Sequence, residues 1–153
     1  MICDAAPQAE TASAPCAITQ MLVAAPGGPR VLQVSIRPAA AARATPPGAP
    51  AQAPGADTAH VARLRLDLPL GLDLVAGVTL RIDGQPWTKV PVRTCLADGC
   101  VAGLLLGEED VSRLKRGARM GVLIQALDGR VIAWPVTLSG FTSAYDQLMA
   151  RAP

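Results

Sequence analysis

Apolar and polar residues alternate along most of this chain. Between residues 60 and 68, Leu64, Leu66 and Leu68 fall on one side of an extended backbone. Arg63, Arg65 and Asp67 fall on the other, which is the pattern of a strand with one buried face. Val78, Leu80 and Ile82 repeat it and run into Asp83-Gly84, a pair suited to a tight hairpin turn. Val90 and Val92 then alternate with Lys89 and Arg93 up to Cys95, with Pro91 marking an edge or a bulge. Residues 101–106 form a continuous apolar run expected to be a buried strand. Met120, Val122 and Ile124 alternate again, Asp128-Gly129 turns the chain, and residues 131–138 return as a strand with Trp134 expected in the core. Near the start, residues 17–24 and 30–37 read as two strands around Pro26-Gly27-Gly28-Pro29.

Two segments break the period of two. Glu108, Glu109 and Asp110 precede Arg113, Lys115 and Arg116, so acid meets the positive end of a helix dipole and base the negative end. Val111 and Leu114 would face inward, with Gly117 as the stop. Phe141, Ala144, Tyr145, Leu148 and Met149 share one helical stripe, and Ser139 or Thr142 could cap that helix. A cap over one end of the strands would bury Phe141 and leave the Tyr145 hydroxyl partly wet. About eight strands and two short helices, without βαβ alternation, predict an all-β fold. It would be an antiparallel β-sandwich or partly closed barrel, a single domain over residues 1–153.

Composition adds one exception and one constraint. From 38 to 57, 16 of 20 residues are Ala, Pro or Gly, too little apolar area to offset ordering, which predicts a flexible insertion. Alanine supplies 28 residues of the chain and aromatics only four, Trp87, Trp134, Phe141 and Tyr145, so Leu, Val and Ile must build the core. The net charge of +2 comes from 14 basic and 12 acidic residues spread along the chain. With few aromatics to stack on bases, no nucleic-acid partner is expected.

Cys3, Cys16, Cys95 and Cys100 form two local pairs among three possible connectivities. The spacings lack the doubled Cys-x₂₋₄-Cys of a zinc site and the Cys-x-x-Cys of a redox dithiol. Structural disulfides are therefore expected. On the chain-entropy model bridges closing such loops contribute about 2 and 3 kcal/mol. They require an oxidising compartment, so the protein is expected in the periplasm or at the cell surface. No run in the sequence reaches the roughly 18 apolar residues of a membrane span. No run matches the core of a signal peptide either, so an export signal would already have been removed.

Candidate chemistry is sparse. His60 is the sole histidine, which leaves no histidine metal cluster, and its place before a strand suggests a surface position. A triad with Ser139 or Ser143 lacks the Gly-x-Ser-x-Gly elbow. The acidic run at 108–110 reads as helix-start charge rather than a pair of carboxylates flanking a substrate. No catalytic residue, metal or cofactor is expected. Trp87, after Gln85-Pro86, reads as core or as a contact anchor, and Arg113 and Arg116 as a solvated helix end or a partner contact.

The central residues resemble the invasion-associated locus B family of α-proteobacteria. The likeness rests on Leu68-Pro69-Leu70-Gly71-Leu72, Ala76-Gly77-Val78-Thr79-Leu80 and Ile82-Asp83-Gly84. It continues through Arg93-Thr94-Cys95, Asp98-Gly99-Cys100-Val101-Ala102 and Leu138-Ser139-Gly140-Phe141, with Cys16 and Gln20 as an early element. It spans about residues 16–148, departing where Met1-Ile2 stand in place of a tryptophan before the first cysteine. The resemblance implies an exported, disulfide-containing envelope protein, linked in some pathogens to host-cell entry, with no established catalytic set. The expected function is a non-enzymatic binding or accessory module for an envelope or host-surface protein. A periplasmic hydrolase or thiol-redox enzyme, and a purely structural envelope component, are the alternatives.

Overall fold

The computed structural model describes residues 2–3, 16–39 and 60–151. In chain order these form β1 (Ile2–Cys3), β2 (Cys16–Val23), β3 (Arg30–Pro38), β4 (Ala62–Leu68), β5 (Val78–Ile82) and β6 (Gln85–Val90). There follow β7 (Val92–Leu96), β8 (Gly99–Leu106), α1 (Glu108–Arg116), β9 (Arg119–Gln125), β10 (Val131–Thr137) and α2 (Phe141–Ala150). The strands make two antiparallel sheets, β1-β2-β3-β4-β8-β7 and β10-β9-β5-β6. The expected sandwich is therefore present, with two separate sheets rather than a closed barrel. Ten described strands replace the eight expected, because β1 is added and the segment around Pro91 divides. No described helix is long and apolar enough to cross a membrane.

Alternation decides which faces meet. Leu32, Val34 and Ile36 of β3, Leu64, Leu66 and Leu68 of β4, and Ala102 and Leu106 of β8 are buried. They face Val78, Leu80, Val90, Val122 and Ile124 from the second sheet in one core cluster. Pro91 is the point where the chain leaves one sheet for the other: β6 and β7 are edge strands of different sheets. Proline lacks the N–H a ladder needs, so a break in pairing costs nothing there. Residues 101–106 are not buried throughout, since β8 alternates and Leu105 is exposed. Trp134 is half-buried, packed against the core from β10, where an edge strand has a neighbour on one side only.

Both helices sit at one end. Val111 and Leu114 bury as expected, and Gly107 N donates to Asp110 Oδ2 at 3.1 Å, capping the first turn of α1. Gly117 ends α1 for a different reason than expected. It is extended (φ −77°, ψ 152°), and a Cβ there would stand 2.7 Å from Ile82 Cγ2 and 3.0 Å from Leu138 Cδ1. Close packing, not left-handed backbone, requires the glycine. In α2, Phe141, Tyr145 and Leu148 are buried against β2, β3 and α1. Its cap is neither Ser139 nor Thr142 but Gly140, at φ 78°. The chain reverses directly out of β10, with Phe141 N donating to Leu138 O at 3.0 Å, and that reversal needs a positive φ.

The insertion predicted at 38–57 lies largely outside the described residues. Its described flank is a closed gate: Pro38 pairs with Ala62 in register, and Ala39 N donates to Val61 O at 3.1 Å. Cys95 and Cys100 stand opposite each other in the β7–β8 hairpin and are bridged. Cys16 is disulfide-bonded too, and in register it faces Cys3.

Candidate functional surfaces

The structure gathers the three residues singled out as contacts. Trp87, Arg113 and Arg116 line one cleft of about 380 Å³ between the β5–β6 turn and α1. Much of it is internally committed. The Trp87 indole donates to Asp110 Oδ1 at 3.1 Å, and Arg113 donates to Glu109 Oε1 at 3.0 Å. Asp83 on the rim accepts from the Ala118 and Arg119 backbone at 2.9–3.1 Å. Asp110 thus holds the helix start and the indole together, a role that residue-by-residue reading of the acidic run did not resolve.

Other candidates stay apart. His60 is exposed just before β4, and Ser139 and Ser143 are exposed beside and within α2. Among the described residues no group of three or more His, Cys, Asp or Glu side chains gathers to hold a metal.

A second surface was not foreseen. At the end opposite the helices, Leu70, Leu74 and Val75 follow β4, and Leu127 and Val131 flank the β9–β10 turn. All five are exposed, Val75 by 94% and Leu127 by 77%. The two loops are tied together: Leu72 bridges Ala126, Asp73 N donates to Gln125 O at 2.8 Å and Leu127 N to Gly71 O at 3.1 Å. Asp73 Oδ1 accepts from Val75 N at 3.0 Å and Ala76 N at 3.2 Å, folding the tip on itself. Buried Leu72 pins the loop to the core. Leucine and valine are thus held outward on an ordered frame. Large apolar side chains inside turn segments, Leu74-Val75 and Leu127 before Asp128-Gly129, were the available signal.

A third surface is the outer face of the six-stranded sheet. It carries Arg37, Arg63, Arg65 and Arg93 around two depressions. Arg65 donates to Asp67 Oδ1 at 2.7 Å, and that hydrogen bond pushes the Arg65 pKa up. Charge that is even along the chain is uneven over the surface.

Comparison with known proteins identifies the chain. The family described as "Invasion associated locus B (IalB) protein" matches residues 1–149. This protein belongs to that family. Two invasion protein B homologs of Brucella abortus, from strain 2308 and from biovar 1 strain 9-941, are 34% identical over 84 residues. Those matches cover 54% of this chain and 49% of each relative, so about half the length of those relatives is represented. The crystal structure of invasion associated protein B from Bartonella henselae superposes with a TM-score of 0.69. It covers 89% of this chain and 85% of that one at 19% identity, which establishes a shared fold. Of the motifs that carry the family resemblance, Leu68-Pro69-Leu70-Gly71-Leu72 and the bridged β7–β8 hairpin lie at the loop end, and Ile82-Asp83-Gly84 and Leu138-Ser139-Gly140-Phe141 at the helical end.

Proposed function

We propose that this IalB-family protein is an exported, non-enzymatic binding module that docks a protein of the envelope or of a host-cell surface through its loop end. The supporting observation is the group of five exposed apolar side chains held on a hydrogen-bonded frame. Exposed apolar groups on an ordered surface mark interaction sites, because water is released when a partner covers them. The names of the relatives point to invasion, and the disulfides fit an oxidising compartment, with Cys3 and Cys16 as the second bridged pair.

The test compares wild type with Val75→Asp/Leu127→Asp for binding of labelled protein to host cells and to native envelope. Loss of binding at unchanged melting temperature supports the proposal. Equal binding by the variant would overturn it. The Trp87, Arg113 and Arg116 cleft is a second docking surface on this reading, because it collects all three contact candidates. Arg113→Ala/Arg116→Ala would then weaken the same binding.

A further inference from the structure

The register of β2, β3, β4 and β8 lines up a polar row across the outer face of the larger sheet. Thr19 opposes Ser35, Ser35 opposes Arg65, and Arg65 opposes Gly103. Arg93 on β7 closes the row, lining a notch of about 200 Å³ with Arg63, Arg65 and Gly103. On the other side of Arg63 and Arg65 lies a hollow of about 510 Å³, floored by Thr19, Gln33 and Ser35 and reached by Arg30 and Arg37. Arg30 is held there by Gln33 Oε1 at 2.8 Å. Among the described residues the acidic groups on this face are Asp67, engaged by Arg65, and Asp98. Five guanidinium groups of the described residues therefore meet two carboxylates, with Arg37 engaged in an interaction of its own.

We infer that this arginine face binds an anionic polysaccharide, a chain of sugars bearing sulfate or carboxylate groups. Each part of the surface matches a part of such a ligand. The guanidinium fork pairs with sulfate or carboxylate through two parallel hydrogen bonds. Recessed hydroxyl and amide groups suit sugar hydroxyls. Alternate residues of β4 stand roughly 6.7 Å apart and neighbouring strands about 4.8 Å apart, so the cations form a grid that an extended chain can follow. Among the described residues the Arg63 and Arg93 side chains make no hydrogen bond or ion pair, which leaves both guanidinium groups available. The face carries none of the four aromatic residues, so it offers no stacking platform for nucleic-acid bases. Its polar floor is recessed, which a flat anionic bilayer would leave unfilled.

The full chain would be titrated with heparin, with hyaluronan, with a single-stranded oligonucleotide and with phosphatidylserine vesicles, at low and physiological salt. Salt-sensitive binding of heparin, of hyaluronan or of both supports the inference, and the two glycans separate sulfate from carboxylate ligands. Arg63→Ala/Arg93→Ala should weaken that binding about tenfold. Gly103→Glu, which places a carboxylate in the notch where a Cβ would meet only Leu64 O at 3.4 Å, should weaken it as well. Arg113→Ala/Arg116→Ala and Val75→Asp/Leu127→Asp should leave it unchanged, which keeps this face distinct from the loop end and the cleft. Tighter binding of the oligonucleotide or the vesicles, or undiminished glycan binding by both face variants, overturns the inference.

Discussion

The two ends of this sandwich solve the same problem differently. Strand ends expose the apolar interior between two sheets, and something must cover it. At one end α1 and α2 do so: Val111, Leu114, Phe141, Tyr145 and Leu148 are buried there, and Lys115 Nζ joins the helices through Asp146 Oδ1 at 2.7 Å. At the other end Leu72 is the buried loop leucine among the described residues, while Leu70, Leu74, Val75, Leu127 and Val131 remain in solvent. Burial at the helical end stabilises the fold. Exposure at the loop end contributes little to folding and is available for association. One and the same residue class is thus buried in the core at one end and left exposed at the other.

The contrast breaks most visibly on Phe141. Phe141→Ala empties a packed site and should cost about 3–5 kcal/mol in denaturant titration, whereas Val75→Asp should change stability by no more than about 0.5 kcal/mol. If both cost the same, the loop end is as structural as the helical end and the division fails. An intermediate effect is expected from the hairpin at the loop end. Cys95→Ala/Cys100→Ala opens a short loop whose closure contributes about 2 kcal/mol, measurable as a lower melting temperature. Reducing agent acting on the wild type should lower the melting temperature further, because it opens the bridge at Cys16 as well.

The smallest effect sharpens the helical end. Burial raises the Tyr145 pKa above its ordinary value of 10.0, against the opposing pull of Lys115, whose ammonium lies 5.0 Å from the ring centre. The folded state therefore holds the phenolic proton more tightly than the unfolded chain does. That contribution is fully present below pH 10.0 and is lost as pH rises through the higher folded value. Tyr145→Phe should flatten the alkaline fall in stability while leaving neutral stability nearly unchanged. An identical alkaline profile in the variant would show that Tyr145 is already wet enough to titrate freely.

Much of the architecture is legible in the chain because its causes are local. Leu64, Leu66 and Leu68 identify β4 by a period of two, and the charge order from Glu108 to Arg116 marks α1 at both ends, since neither depends on a distant neighbour. The stripe of α2 is equally local, and its burial follows from it. The Gly140 cap of α2 and the packing role of Gly117 are not legible locally, because their constraints are set by the chain reversal after β10 and by Ile82 and Leu138. Trp134 was placed too deep because the strand's position at a sheet edge is not written in its own residues.

For the surfaces the divide is sharper. The amino-acid order by itself determined an all-β chain with locally paired cysteines, an α1 and an α2, and likeness to the IalB family. Those features rest on periodicity, turn chemistry and short spacings, all of which act within a few residues. Strand order, the crossing at Pro91, the convergence of Trp87, Arg113 and Arg116, and the arginine face were decided by tertiary structure alone. Ser35, Arg65, Gly103 and Arg93 come from four different strands, and pairing energies between strands, summed over the whole core, choose which strands become neighbours.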